Sequence, residues 1–185
     1  MIIQRKDYID KINPFVNKHI IKVLIGPRRS GKSTILKQII DLLIKQGIPK
    51  ENIVWMNFEL SDYFEIDNIK KLEEFISYKT ENIDGKIYLF FDEIQVVPQW
   101  EKLINSYFAK ENYDIYITGS NSKLLSGEFA TYLSGRYVEL NIYPFFLRNI
   151  WITMKLLLIL NLIFTDIWKM GACLQHLTIW VMIKD

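Results

Sequence analysis

Gly26-Pro27-Arg28-Arg29-Ser30-Gly31-Lys32-Ser33-Thr34 is a complete G-x-x-x-x-G-K-[ST] run. Gly26 and Gly31 permit backbone angles and close approaches closed to other residues. Successive N–H groups of such a loop, and the N-terminus of the helix after it, then point at one anionic group. In that geometry Lys32 reaches the β- and γ-phosphates of a nucleotide and the Ser33 hydroxyl ligates Mg²⁺. Every residue from Gly26 to Thr34 is therefore a candidate nucleotide ligand. Arg28 and Arg29 either touch phosphate or are ordinary solvated loop charges, the second being the simpler reading.

A second group complements the first. Ile87-Tyr88-Leu89-Phe90-Phe91 runs into Asp92-Glu93. Following a phosphate loop of the Walker A kind, this looks like a Walker B motif. Asp92 would hold Mg²⁺ through its water shell, because Mg²⁺ keeps waters and takes few carboxylates. Glu93 would orient and deprotonate an attacking water. The second acid discriminates among phosphate-loop proteins. A small-molecule kinase does not usually need it, because its substrate supplies the nucleophile. An ATPase with an additional strand does, because water is its nucleophile. No Asn-Lys-x-Asp guanine-reading motif is present. In Thr118-Gly119-Ser120-Asn121, Ser120 or Asn121 is expected to sense the γ-phosphate, with a plain helix N-cap as the alternative. Arg136 is either an arginine finger acting in trans or a surface cation.

These groups need strands and helices to hold them. Residues 20–25 are apolar and β-branched, as a buried parallel strand requires. Ile35, Leu36, Ile39, Ile40, Leu42 and Leu43 then recur at helical spacing. The pattern predicts further strands at 52–58, 87–91, 113–118 and 137–142, and helices at 5–17, 69–78 and 100–110, the last with Pro98 near its start. Alternating strands and helices imply an α/β fold: a five-stranded parallel sheet with helices on both faces. Ligands in such sheets sit at the carboxyl ends of the strands, where the candidate residues are expected to gather.

Composition narrows the class. The chain has 185 residues and a net charge of +2, enough for one domain with a real core and too little charge to argue for an anionic partner. Nucleic acid is thus left open. The single cysteine, Cys173, excludes an intramolecular disulfide framework and a Cys-rich zinc site. His19 and His176 are assigned no role. No apolar leader follows Met1, so a reduced, cytoplasmic setting is expected.

GPRRSGKST, FFDEIQVVPQWEK and ITGSNSKLLSGEFATYLSGRYVELNIYPF together resemble a prokaryotic family of AAA+-type ATPases. The resemblance covers about residues 1–145. It implies a P-loop NTPase core, ATP and Mg²⁺ as cofactors, hydrolysis of ATP, and sites that often need a neighbouring subunit of a homo-oligomer. Family members are described with a further C-terminal domain, nuclease-like and of unsettled function. The alternatives are a nucleotide-dependent binding switch, an inactive fragment, and, less favoured, a small-molecule kinase.

After Phe145 the composition changes. Residues 151–185 hold five charged residues, no Glu and no Arg, and three of the five tryptophans. The family pattern expects an acidic helix and later a Gly-Gly-x-Pro turn. A frameshift near Phe145 to Leu147 accounts for both. Reading each codon from the third base of the written one, Trp168 to Leu174 can give Met-Glu-Asn-Gly-Gly-Met-Pro. The same offset turns Arg148 to Lys155 into Glu-Glu-Tyr-Leu-Asp-Tyr-Tyr-Glu. Codons incompatible with those peptides would sink the idea, and segment 146–185 is expected to form no independent domain. Taken at face value instead, the apolar run Leu156 to Phe164, interrupted by Asn161, is short of the roughly 20 residues of a membrane span. A membrane is accordingly not expected as a partner, although an amphipathic or buried helix remains the competing reading.

Overall fold

The computed structural model describes residues 5–120 and 133–144, all within one compact unit, Met1–Pro144. Segment 145–185, with Cys173 and His176, lies outside the described residues.

Helix α1 spans Lys6–Ile12 and a single 3-10 turn spans Asn13–Phe15. The expected helix over 5–17 is thus cut short. Pro14 has no N–H to donate and cannot continue an α-helix, and the chain reverses at Asn17, whose φ is 62°. Strand β1, Ile21–Ile25, follows and is buried throughout. Helix α2 runs Lys32–Lys45. Strand β2 is Ile53–Asn57, helix α3 Ile69–Thr80 and strand β3 Ile87–Asp92. Helix α4 is Trp100–Ala109, strand β4 Tyr113–Gly119 and strand β5 Tyr137–Asn141. Pro98 stands outside α4 rather than in its first turn. Gln99, with φ 61°, lies between them and redirects the chain into the helix.

The five strands form one sheet in the order β2-β3-β4-β1-β5. Each neighbouring pair is parallel, with Leu24 opposite both Thr118 and Leu140, and Phe91 opposite Ile117. The expected parallel α/β sheet is therefore the observed one. Side chains alternate across it. Ile21, Val23, Ile25, Leu89, Phe91, Ile115 and Ile117 face α3 and α4, packing with Leu72, Ile76, Leu103, Ile104 and Tyr107. Leu24, Tyr88, Phe90, Tyr116 and Leu140 face α1 and α2, packing with Ile12, Ile35, Leu36, Ile39 and Leu43. Phe90 and Tyr116 stack with centroids 4.4 Å apart.

At the amino end of the sheet a polar group is built into the second core. Lys22 and Asp114, both fully buried, form an ion pair. Lys22 Nζ also donates to Lys18 O at 3.0 Å, and Asp114 Oδ2 accepts from Asn17 N at 2.9 Å and from the Tyr116 hydroxyl at 3.1 Å. Burial holds the Lys22 amine below its ordinary range, against the pull of Asp114.

Candidate functional site

Strand order decides what can meet what. β4 lies between β1, which leads into the phosphate loop, and β3, which ends in the acids. Two strand spacings of about 4.8 Å each set loop and acids roughly 10 Å apart at the carboxyl end of the sheet. The end of β4 occupies the gap.

The loop leaves β1 at Gly26. A Cβ there would lie 2.2 Å from Ile142 O and 2.9 Å from Ser30 Oγ, so only glycine fits. Ile142 itself is held by its N–H, which donates to Ile25 O at 2.6 Å. Arg29 and Gly31 both have left-handed backbones, at φ 63° and 93°. Gly31 caps α2 without a side chain, which leaves the first N–H groups of a fourteen-residue helix free of any side-chain cap. Lys32 is 4% exposed, and its Nζ donates to Gly26 O at 3.2 Å and to Pro27 O at 3.3 Å. The amine thus curls over the loop, above the turn where phosphate would sit.

The acids are reached across the gap. Lys32 Nζ pairs with Glu93 Oε1 at 3.1 Å. Glu93 Oε2 accepts from Gln95 Nε2 at 2.5 Å. Glu93 is a non-glycine residue in left-handed backbone, φ 59° and ψ 44°. Such strain costs about 1–3 kcal/mol and tends to collect at functional sites. Asp92 is fully buried, and burial pushes its carboxyl above the ordinary carboxylate range, with the hydroxyls of Thr118 and Ser33 pulling the other way. Its Oδ2 has no hydrogen-bond partner among the described residues, and neither has Ser30 Oγ in the loop. An unpartnered, desolvated carboxylate oxygen beside the Ser33 hydroxyl fits a cation that brings its own waters and shares the phosphates. Among the described residues no group of three or more His, Cys, Asp and Glu side chains forms a protein cage for a metal.

An open cavity of about 760 Å³ lies between these halves, lined by Arg28, Arg29, Gly31, Lys32, Ser33, Thr34, Glu59 and Glu93. Arg28 is solvated: its side chain is 81% exposed and pairs with Glu59 at 2.9 Å across the cavity mouth. Pro27 and Arg29 are exposed as well, while Ser120 is half-buried at the end of β4. Asn121 lies outside the described residues.

Arg136 is not brought to this cavity. It bonds Asn105 on α4, sits 5.9 Å from the Phe108 ring, and its carbonyl accepts from Ile21 N at the amino end of β1. That is the end of the sheet opposite the phosphate loop, so the expectation that every candidate gathers at the carboxyl ends fails for Arg136. It precedes β5, and a parallel strand begins at the sheet's amino edge.

Three contributors were invisible in the sequence. Arg5 is buried, donating to Ser30 O at 3.0 Å and Tyr143 O at 2.7 Å, and so braces the back of the loop. Thr118 joins the two acids: its hydroxyl donates to Asp92 Oδ1 at 2.5 Å and accepts from Glu93 N at 3.0 Å. Glu59 closes the far wall. The turn Thr118-Gly119-Ser120 did point to the end of β4, but to the residues after the strand rather than to the buried threonine.

A family model described as an AAA domain matches residues 18–151 of the chain. The chain belongs to the AAA-domain family. This AAA domain is 46% identical over 143 residues to an uncharacterized protein of Haemophilus influenzae, an overlap of 77% of the chain and 36% of that relative. It is 39% identical over 124 residues to the uncharacterized protein MJ1544 of Methanocaldococcus jannaschii, covering 67% of the chain and 26% of the relative. The chain therefore spans about a third or less of these relatives. Among the described residues of the AAA domain, no helix is long and apolar enough to cross a membrane.

Proposed function

We propose that this AAA domain binds ATP together with Mg²⁺ and hydrolyses it. The observation that carries the reading is the meeting of Lys32 and Glu93 at 3.1 Å with Asp92 alongside, which joins a phosphate grip to a general base. ATP entering the cavity would draw Lys32 from Glu93 to the β- and γ-phosphates, and the N–H groups of the loop and of the first turn of α2 would take the remaining phosphate oxygens. Freed of Lys32, Glu93 would take a proton from water as the water oxygen bonds to the γ-phosphorus. The bond from that phosphorus to the bridging oxygen breaks, and ADP and phosphate leave. Mg²⁺, held through Ser33 and Asp92, would supply charge neutralisation for the phosphates. Ser120 would report the γ-phosphate, with Asn121 as the other candidate. Arg136, remote from this chain's own cavity, would act in trans on a neighbouring subunit.

Phosphate release with Mg²⁺–ATP, measured beside nucleotide affinity, tests the reading. Lys32→Ala is expected to lose nucleotide binding. Glu93→Gln is expected to keep it and to lose turnover by about 100-fold or more, the size of a lost general base. Release that requires an added acceptor would indicate a kinase. Binding without release in the unaltered protein would indicate a switch, and neither would indicate an inactive fragment.

A further inference from the structure

Thr118 stands on β4, next to the last residue of the strand, and is fully buried. With Asp92 ionised, the hydrogen bonds of Thr118 have one direction. The Glu93 amide can only donate, so Thr118 Oγ1 accepts from it, and its single proton must go to Asp92 Oδ1. The β-branched side chain is stiff about χ1, so the hydroxyl cannot easily turn elsewhere. Two consequences follow. Asp92 has one oxygen satisfied by protein and the other, Oδ2, with no partner among the described residues. Glu93, in left-handed backbone that a glutamate does not favour, is tied at its amide to a rigid central strand.

We infer that Thr118 is a positioning residue of the proposed site: one hydroxyl sets which oxygen of Asp92 is left for the metal's water and pins the turn that delivers the Glu93 carboxylate. The inference rests on the ATPase reading for its kinetic consequence, but not for its effect on metal-assisted binding.

The test uses the full 185-residue chain with Thr118→Val, which keeps the shape and deletes the hydroxyl, and Thr118→Ser, which keeps the hydroxyl. A fluorescent ATP analogue is titrated in EDTA and in Mg²⁺, phosphate release is measured at saturating ATP, and melting is recorded for each variant. Thr118→Val is expected to hold nucleotide in EDTA as the unaltered protein does. It is expected to lose the extra affinity that Mg²⁺ confers, and to turn over about 100-fold more slowly, the loss typical of one preorganised hydrogen bond. Thr118→Ser is expected to recover most of both. The inference is overturned if Thr118→Val keeps the Mg²⁺ increment and turnover. It is equally overturned if Thr118→Ser is as impaired as Thr118→Val, or if affinity in EDTA falls in step with turnover, which marks a merely structural role. Should Thr118→Val melt below the assay temperature, Thr118→Ser decides: turnover and Mg²⁺ increment near those of the unaltered chain support the inference, and their loss overturns it. Unaltered protein that binds more tightly with Mg²⁺ but releases no phosphate would defeat the ATPase reading alone, and the Mg²⁺ increment of the variants would then decide this one.

Discussion

Asp92 carries an electrostatic conflict that the metal would relieve. It is fully buried, one of its oxygens lacks a partner, and burial raises its carboxyl above the ordinary range. A folded-state value above the unfolded one means that the fold holds the proton more tightly than the open chain. That contribution to stability is present at low pH and is lost as pH rises through the raised value. Once ionised, and with no metal, Asp92 therefore works against the fold. Asp92→Asn keeps an acceptor for the Thr118 hydroxyl and removes the charge. In EDTA at neutral pH it is expected to melt above the unaltered protein, with the gap closing toward acid pH. ATP with Mg²⁺ should stabilise the unaltered protein more than ATP alone, and this difference should vanish in Asp92→Asn. Thermal melts across pH, with and without Mg²⁺, read both effects. A variant that melts lower at every pH would show that the carboxylate is needed for packing rather than held for a cation.

The elements were largely legible because their signals are local. The phosphate loop is contiguous, and the runs through Ile21–Ile25 and Ile87–Asp92 are buried on both faces and so read as near-continuous apolar segments, interrupted by Lys22 and closed by Asp92. Helix ends were less legible: Pro14 stops α1 after seven residues, and Gln99 rather than Pro98 sets the start of α4. What the sequence concealed are contacts that only sheet register creates. Arg5 meets Tyr143 from 138 residues away, Thr118 meets Asp92 from 26, and Lys22 meets Asp114 from 92. No spacing rule along the chain anticipates a lysine and an aspartate paired between β1 and β4. That pair joins the phosphate-loop strand to its central neighbour, so its loss should loosen the platform of the site. Lys22→Met is expected to cost about 3–5 kcal/mol, because it strands the Asp114 charge in the core. Adding Asp114→Leu should recover only part, since Asn17 N and the Tyr116 hydroxyl then lose their acceptor. The pH sign is also fixed. The Lys22 amine sits below its ordinary value in the fold, so the unfolded chain keeps its proton to higher pH. Its contribution makes stability rise with pH across the interval between the lowered value and the ordinary one. Denaturant titrations of the single and double variants give the energies. Alkaline melts should show that this rise is absent from Lys22→Met.

At the scale of the whole molecule the described residues bring few cations to the cavity. Among the described residues the cations lining it are Arg28, Arg29 and Lys32. Arg28 is committed to Glu59 at the mouth, and Lys32 serves the β- and γ-phosphates in the proposed reaction. A γ-phosphate being transferred gains from a further guanidinium, which in phosphoryl transfer is supplied either in cis or in trans by another protein. Arg136 fits such a donor. It is exposed at the amino end of β5, it is oriented by Asn105 and Phe108 on α4, and it lies at the sheet end remote from its own cavity. From that end of the sheet it could serve only a neighbour's cavity, as the proposed reaction has it. Arg136→Ala is therefore expected to leave nucleotide affinity unchanged and to lower turnover by about 1000-fold or more, the lower bound for a lost arginine finger. Lys32→Ala is expected to be inactive for a different reason, the loss of its own phosphate grip. Mixed, the two inactive proteins should regain activity. Where an Arg136→Ala subunit presents an intact cavity to the intact Arg136 of a Lys32→Ala neighbour, one complete site is formed. The regained rate should grow with total protein concentration and peak near equal mixing. A mixture no more active than its components, under conditions where the unaltered protein assembles and turns over, would assign Arg136 to the surface and leave the cavity to work with its own cations.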